Sequence, residues 1–282
     1  MCRRTLQGWQ LACLLLAACS SSVGQRTGAA TPSVTRTPVA AATASPSDRT
    51  ALPLRTSVFG YSVHGAPLIA RARGPESAAR RILLVGCVHG NECAGIPVAT
   101  RALATTPPAG TEIVVVPELN PDGHAAGVRQ NAHGVDLNRN FPRLWKPIGA
   151  RGDQQYAGTG PLSEPEARAM AALIWRLRPT VTVWFHQPVG VVDLSGGSDP
   201  IERRFAQIAG MTLRLLVRYP GSACSWQNFL WPGRTTAFVV ELSRPATHAQ
   251  LSGSLAAVLD LESSSPSWPP SRHTGTGAPP RA

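Results

Sequence analysis

The sequence predicts one compact α/β domain, with a mixed, largely parallel central sheet and helices on both faces. Short apolar runs rich in β-branched residues alternate with longer segments of helical periodicity, which is the pattern of strands joined by crossover helices. Several of these runs end on polar residues of catalytic type, as expected where parallel strands finish at one edge of a sheet. The domain covers residues 55–262, about 210 residues, a size that one core can support.

The first half of the domain contains a predicted hairpin, two buried strands and a helix. Residues 55–74 alternate between apolar and polar side chains and turn near Gly65, which predicts the hairpin. The runs "RILLVGCV" and "TEIVVVPEL" are continuous and apolar, which predicts buried strands. Between them, residues 91–106 have the apolar spacing of a helix, which "PPAG" ends.

A long irregular segment, residues 120–162, separates the two halves of the domain. Loops of this length inside a compact domain are more often functional than structural. A helix follows, with Ser163 predicted as its N-cap and Glu166 at the capping-box position. The remaining predicted elements are a strand, a helix, a strand and a helix, at residues 180–186, 199–216, 235–243 and 247–263.

The N-terminus has the pattern of a bacterial lipoprotein leader. Arg3 and Arg4 precede an apolar run that is far shorter than the roughly 20 residues needed to span a bilayer. The run ends in "LAAC", which looks like a lipoprotein box. Residues 1–19 are therefore predicted to be a signal peptide whose cleavage leaves a lipidated Cys19, with an ordinary signal peptide cut nearby as the alternative.

Two segments outside the domain lack the large apolar side chains that a core requires. Residues 20–54 are predicted to be a disordered tether rich in Ser, Thr, Ala and Pro, and residues 263–282 a disordered tail.

The domain holds 20 Lys and Arg against 15 Asp and Glu, which is +5 of the chain's net charge of +11. Because the sequence has no nucleic-acid motif, we predict no nucleic-acid partner. We expect the protein on the outer face of a bacterial membrane, with a secreted form as the alternative.

Three cysteines remain once the leader is removed and Cys19 is lipidated: Cys87, Cys93 and Cys224. An odd number in an exported chain is consistent with one disulfide and one buried thiol. The sequence leaves the pairing open, and no CxxC pattern suggests a thiolate metal site.

Polar side chains stand at the ends of three predicted strands: His89 after "LLVGCV", His186 after "VTVWF" and Glu241 after "AFVV". Glu92 follows His89 by three residues, a spacing that lets both side chains face one point. Two imidazoles and one carboxylate form the ligand set of a catalytic zinc site. His-x-x-Glu alone also occurs in turns without metal, and His186 alone is also typical of a structural histidine. A carboxylate at the end of a buried strand, by contrast, requires a partner or a function.

The segments "NPDG" and "RQNAHGVDLNRNFP", residues 120–123 and 129–142, resemble the zinc carboxypeptidase family. The likeness is strongest to its short bacterial branch, the murein peptide amidases and γ-D-glutamyl-diamino acid peptidases. It extends from "GCVHGNE" through "FHQP" and "YPGSACSW" to "FVVELS". The resemblance implies the fold of that family and one Zn²⁺ per chain.

The resemblance also implies a role for each matching residue. His89, Glu92 and His186 match the zinc ligands of the family. Glu241 matches the general base that takes a proton from zinc-bound water. Arg129 matches the arginine that stabilises the developing oxyanion.

Further matches concern substrate binding and the orientation of the ligands. Asp136 matches the carboxylate that holds the first zinc histidine in its ligating tautomer. Asn138 and Arg139 match the pair that binds the terminal carboxylate of the substrate, a task that suits a guanidinium because it grips a carboxylate bidentately. Tyr219 resembles the substrate-capping tyrosine, although its spacing to Trp226 departs from that of the digestive enzymes.

The specificity pocket departs from the acidic version of the family pattern. Cys224 and Ser225 fall near its floor, where an acidic residue would select a basic side chain. If the substrate carries a diaminopimelate side chain, Asp193 is the suggested partner for its charged end.

The leading hypothesis is a zinc-dependent metallopeptidase or amidase that hydrolyses an amide bond next to a C-terminal residue of murein peptides. A general zinc carboxypeptidase remains an alternative, as does a deacylase of small N-acyl amino acids with a "DLNR"-like stretch. The fuller "GVDLNRNFP" and the "NPDG" loop favour peptides over N-acyl amino acids. A third alternative is a lipoprotein that binds wall peptides without catalysis, but no ligand or base is missing from the sequence.

Overall fold

The structure is a computed structural model that describes residues 52–194 and 199–263. The predicted leader with Cys19, the tether up to residue 51 and the tail after residue 263 lie outside the described residues. Within those residues, no helix is both long and apolar enough to cross a membrane.

The described part of the chain contains one mixed eight-stranded sheet. Its strands are β1 (Arg55–Tyr61), β2 (Pro67–Arg73), β3 (Arg80–Val85), β4 (Thr111–Val116), β5 (Val181–His186), β6 (Val191–Asp193), β7 (Thr212–Arg214) and β8 (Thr236–Glu241). They lie in the order β1-β2-β4-β3-β5-β8-β6-β7. The central strands β4, β3, β5 and β8 pair in parallel, whereas β1, β2 and β6 join by antiparallel pairing. The predicted mixed, largely parallel sheet is confirmed.

Helices cover both faces of this sheet, as predicted. They are α1 (Gly95–Ala102), α2 (Pro121–Ala126), α3 (Pro165–Leu177), α4 (Asp199–Ala209), α5 (Ala223–Leu230) and α6 (His248–Ser263). Along β3, Ile82 and Leu84 pack in one core with residues of α1, α4 and α6. Leu83 and Val85 pack in a second core with residues of α3 and α5. This alternation follows from the two-residue period of a strand whose two faces are both buried.

The prediction of Ser163 as an N-cap is wrong. Helix α3 begins at Pro165, with Glu164 in the extended N-cap position, because proline disfavours a helical residue before it. The hydroxyl of Ser163 donates instead to the Glu164 carboxylate, at 2.7 Å. Glu166 also makes no capping box, because its carboxylate accepts the backbone N–H of Val63 at 3.0 Å.

The helix predicted over residues 199–216 is too long. It ends at Ala209, and Gly210 follows with a φ of +63°, a left-handed conformation that favours glycine and ends helices. Residues 212–214 form β7 instead. Both β7 and the unpredicted β6 have three residues, too few for a two-residue period to stand out.

Candidate metal centre

The parallel strands β3, β5 and β8 are neighbours, so their carboxyl ends meet at one edge of the sheet. His186 is the last residue of β5 and stands opposite Glu241, the last residue of β8. His89 lies in the loop that leaves β3 for α1. The topology therefore brings these sequence-predicted groups to one place.

The loop after β3 packs closely on the segment around α2. Gly90 is required there, since an added Cβ would lie 2.0 Å from the carbonyl carbon of Gly123. The Gly90 N–H donates to the carbonyl of Arg129 at 3.3 Å, and the Glu92 N–H donates to the carbonyl of His89 at 2.9 Å. The His89–Glu92 turn is thereby fixed against the chain that carries Arg129.

His89, Glu92 and His186 converge as a buried trio. Nδ1 of His89 lies 2.9 Å from Oε2 of Glu92, and Nδ1 of His186 lies 3.1 Å from the same oxygen. The two Nδ1 atoms are 3.2 Å apart, and the three possible ligand atoms all lie within 4.8 Å of one another. The exposed fractions are 1%, 5% and 3%, which is low for three ionisable side chains that share one site. Two imidazole nitrogens and a carboxylate oxygen in this arrangement suit a divalent metal such as zinc.

The carboxyl of Glu92 is held ionised by its neighbours. Burial works to raise its pKa, but the hydrogen bonds with His186 and His89 outweigh burial and hold the pKa well below its usual range. The second oxygen of Glu92 accepts a hydrogen bond from Nη1 of Arg129 at 2.8 Å. The backbone N–H of Gln187, the residue after His186, also donates to Glu92, at 3.3 Å.

Asp136 orients His89 by contacting the ring nitrogen that points away from the trio. Its Oδ1 lies 2.9 Å from Nε2 of His89, so the Nδ1 of that ring faces the trio. Asp136 is fully buried, and burial works to raise its pKa. The charge of His89, its hydrogen bond and the guanidinium of Arg129 outweigh burial and hold the pKa low. This is the arrangement by which a carboxylate fixes a ligating histidine.

Arg129 links two of these carboxylates. Its Nη1 contacts Glu92, and its Nε and Nη2 donate to Oδ2 of Asp136 at 3.1 and 2.8 Å. The side chain is 19% exposed and reaches the cavity beside the trio. Its charge therefore lies next to the predicted reaction centre while its hydrogen bonds organise the ligands.

Two buried asparagines position the Arg129 segment, and the sequence analysis assigned no role to either. The side-chain amide of Asn120 donates to the carbonyl of Arg129 at 3.2 Å. Asn131 donates to the carboxylate of Glu164, just before α3, at 2.8 Å and to that of Glu166, within α3, at 3.0 Å. Both asparagines lie in the stretch that carries the family likeness, but a single sequence does not distinguish a positioning amide from a loop residue.

A cavity of about 310 Å³ opens in front of the trio. It is lined by the sequence-predicted residues His89, Glu92, Arg129, Asn138, Arg139, His186, Asp193, Tyr219 and Glu241, and also by Cys224 and Ser225. The structure therefore brings together every predicted site residue of the domain except Asp136, which lies behind His89.

Arg139 places a buried guanidinium on the cavity wall. It is 4% exposed, and its Nε has no hydrogen-bond partner among the described residues. Its Nη1 donates to the carbonyl of Asn138 at 2.9 Å and lies 4.0 Å from Asp136. Burial lowers the pKa of Arg139, an effect that Asp136 opposes, and an arginine keeps its charge at neutral pH. A buried cation that reaches a cavity is suited to bind an anion.

Tyr219 stacks on Arg139. The guanidinium carbon lies 3.9 Å from the centre of the Tyr219 ring, and the tyrosine is 38% exposed. Asn138 is held in place because its Oδ1 accepts the backbone N–H of Ala223 at the start of α5, at 2.9 Å. Gly221 allows this approach, since an added Cβ there would lie 2.1 Å from the carbonyl oxygen of Arg139.

Glu241 is a lining residue of the cavity and carries a carboxylate beside the trio. Its Oε2 is buried and accepts no hydrogen bond from any described residue. Because the residue lines the cavity, its carboxylate is placed to accept a proton from a molecule bound there.

The structure resolves the cysteine pairing. Cys87 and Cys93 form a disulfide, and Cys224 is the free, buried cysteine of the described chain. Burial, with the nearby charges of Asp193 and Glu202, raises the pKa of Cys224, which keeps it a thiol. Asp193 is 8% exposed, and its Oδ1 accepts the backbone N–H of Leu216 at 2.8 Å.

Comparison with known proteins places this site in a wider group. A family model described as zinc carboxypeptidase matches residues 41–205. Murein peptide amidase A from Escherichia coli strain K12 is 36% identical over 196 residues, a match that covers 64% of this chain and 78% of that protein.

Solved structures show the same likeness. The murein-tripeptide amidase MpaA from Escherichia coli O157 matches with a TM-score of 0.62 and 31% identity, covering 79% of this chain and 98% of that one. Bovine thrombin-activatable fibrinolysis inhibitor matches with a TM-score of 0.64, covering 74% of this chain and 89% of that one. At 18% identity, the second match shows a shared fold alone.

Proposed function

This chain belongs to the zinc carboxypeptidase family and is a hydrolase, and from that premise we propose that it cleaves murein peptides at the amide bond before a C-terminal residue. One observation carries the proposal. The trio of His89, Glu92 and His186 shares a single cavity with the carboxylate of Glu241 and the buried guanidinium of Arg139. A metal-dependent hydrolase that removes a C-terminal residue uses all three parts: a metal, a proton carrier and a carboxylate anchor.

The trio fits one zinc ion per chain. It offers two imidazole nitrogen donors and one oxygen donor, all buried and mutually close, and Asp136 supports the first histidine. When bound, zinc acts as a Lewis acid that polarises a carbonyl and makes water a better nucleophile. We assign His89, Glu92 and His186 as the residues that hold it.

Glu241 is the proposed proton carrier. Its carboxylate accepts the proton of the attacking water and delivers it to the nitrogen of the leaving amine. The carboxylate acts first as a base and then as an acid. The proton that it takes from water in the first half of the reaction is the proton that it gives to the amine in the second half. The position of Glu241 opposite His186 in the sheet register keeps it close to the trio.

Arg139 and Asn138 are the proposed anchor for the substrate's terminal carboxylate. The guanidinium lies at the cavity wall, 4.0 Å from the carboxylate of Asp136, so a carboxylate bound in the cavity would gain charge-assisted hydrogen bonds from it. Tyr219 covers this guanidinium and is proposed to contact the bound residue. Arg129 supplies positive charge near the position where the oxyanion develops.

The murein substrate is proposed from the relatives. Two proteins matched over most of their length are named as murein peptide or murein-tripeptide amidases. Asp193 lies in the cavity lining and is proposed to meet an ammonium group on the side chain of the leaving residue. A substrate with diaminopimelate in that position supplies such a group.

The attachment of the enzyme is proposed from the leader sequence. Arg3, Arg4 and the "LAAC" segment support lipidation of Cys19 and a position on the outer face of a bacterial membrane, with residues 20–54 as a tether. The catalytic domain is proposed to cover residues 55–262.

A substrate panel tests the function. The purified, zinc-loaded protein is incubated with a murein tripeptide, the same peptide with an uncharged side chain on the leaving residue, ordinary C-terminal peptides and small N-acyl amino acids. We expect the highest kcat/KM for the murein tripeptide and a loss when the ammonium is removed. Preference for ordinary peptides would indicate a general carboxypeptidase, and preference for N-acyl amino acids a deacylase. Binding of the murein peptide without turnover would indicate a protein that only binds it.

A further inference from the structure

We infer that the Cys87–Cys93 disulfide is a positioning element for the metal ligands, an inference that rests on the proposed zinc site. The two cysteines are six positions apart, and the turn that they enclose carries His89 and Glu92. Two of the three proposed ligands therefore lie inside one small covalent ring. The third, His186, lies outside it.

The two kinds of ligand are held in different ways. His186 ends β5 and is part of the sheet register, and its carbonyl accepts the N–H of Leu242 at 2.8 Å. The turn at residues 87–93 lies between β3 and α1 and belongs to no strand or helix. The disulfide therefore restricts the conformation of this turn, as strand pairing restricts the conformation at His186.

The sulfur atoms contact the backbone of the turn itself. Sγ of Cys87 lies 3.3 Å from the carbonyl oxygen of His89, and Sγ of Cys93 lies 3.3 Å from that of Gly90. Arg129 and Asp136 hold the ligand side chains by hydrogen bonds. The disulfide holds the backbone from which those side chains project.

The small size of the ring points to a local effect. A cross-link stabilises a fold mainly by restricting the unfolded chain, and this effect grows with the length of the closed loop. A link over six positions restricts the unfolded chain little compared with a link between distant segments. We expect the disulfide to act mainly by restricting the conformations of the turn that it closes, and this turn carries the ligands.

Zinc release measures this role directly. The full chain carrying Cys224→Ser is loaded with zinc and compared in the oxidised state and after reduction by a phosphine, which is then removed under anaerobic conditions. Release to a chromogenic chelator is followed in native buffer. We expect release about 10-fold faster or more after reduction, by analogy with the loss of other groups that orient metal ligands, and recovery of the slow rate after reoxidation.

A second variant separates positioning from new thiol chemistry. Cys87→Ala combined with Cys93→Ala, in the same Cys224→Ser background, leaves no thiol in the turn that could compete for zinc, and it should release zinc as fast as the reduced protein. Thermal unfolding is then measured with and without zinc. Loss of a disulfide that only stabilises the fold lowers both midpoints equally, whereas loss of a positioning disulfide also diminishes the rise in midpoint that zinc produces.

Equal release rates and an equal zinc-induced rise in the oxidised, reduced and double-alanine proteins would overturn the inference. So would peptide mapping that finds Cys87 and Cys93 unlinked in protein purified from an oxidising compartment. Failure to cleave murein peptides would overturn the proposed function and would leave the comparison of zinc release unaffected.

Discussion

His186 and Glu241 are direct partners in the register of two parallel strands, each as the last residue of its strand. The pairing places a proposed zinc ligand beside the proposed proton carrier without any contribution from a loop. Because strand register is set by backbone hydrogen bonds along all of β5 and β8, the relative position of the two groups is fixed by the core of the fold.

Replacement of His186 by alanine should abolish stoichiometric zinc. The variant loses one of the two imidazole donors of the trio, and the loss in affinity should exceed the roughly 10- to 100-fold that follows the loss of a group that merely orients a ligand. Metal analysis after dialysis measures it. His248→Ala, at the exposed start of α6, is the matched control and should keep its zinc. Full zinc occupancy in His186→Ala would remove His186 from the ligand set.

Arg139 should matter only for substrates with a free terminal carboxylate. Amidation of that carboxylate should lower kcat/KM of the wild type about 100-fold, because the buried guanidinium loses its charged partner. Arg139→Ala should be slow with both substrates and nearly indifferent to amidation. Arg143→Ala, which removes a guanidinium that stacks on Phe229, serves as control and should discriminate as the wild type does. Equal losses on amidation in wild type and Arg139→Ala would mean that the carboxylate binds elsewhere.

Glu262 should make stability depend on pH. It is 5% exposed on α6, faces Thr105 and Arg80, and burial outweighs both and raises its pKa to about 7. The ordinary value is 4.5, so the folded protein keeps a proton that the unfolded chain has released between those values, and stability falls as pH rises through this window.

Glu262→Gln removes this titration and keeps the size of the side chain. The variant should be more stable than the wild type by on the order of 1 kcal/mol at about pH 8 and should lose that advantage near about pH 4. Denaturant unfolding at both pH values measures the difference. Asp260→Asn is the control on the same helix, since it alters an exposed pair with Arg204. A stability difference that does not change with pH would contradict the prediction.

Cys19 should carry lipid and hold the protein at a membrane. Two acyl chains anchor a protein stably, so the wild type should stay in the membrane fraction through a high-salt wash, which screens charge and leaves acyl burial unaffected. Cys19→Ser should release or misprocess the protein, whereas Cys13→Ser, within the leader, should not. An unmodified mature N-terminus in mass spectrometry would contradict lipidation and would indicate a secreted enzyme.

The sequence predicts the strands and the chemistry at their ends well because both depend on local patterns. Continuous apolar runs identify β3, β4, β5 and β8, and polar residues at their ends identify the trio and Glu241. Tertiary context accounts for what the sequence missed. The carboxylate of Glu166 makes no capping bond and accepts the N–H of Val63, 103 positions away in the sequence. The pairing of Cys87 with Cys93 depends on the shape of a turn. The sequence analysis also missed α2 in the long loop, where Ser62 and the N–H of His64 donate to the carboxylate of Asp122 from about 60 positions away.

The carboxylate of Glu241 gives the most direct test of the proposed chemistry. Glu241→Gln keeps the size of the side chain and removes the proton carrier, so the zinc content and the kcat are measured on the same preparation. We predict one zinc per chain, as in the wild type, with a kcat that falls by roughly 10²- to 10⁴-fold. Near-normal turnover, or loss of the metal along with activity, would contradict the assignment of Glu241 as the group that moves the proton.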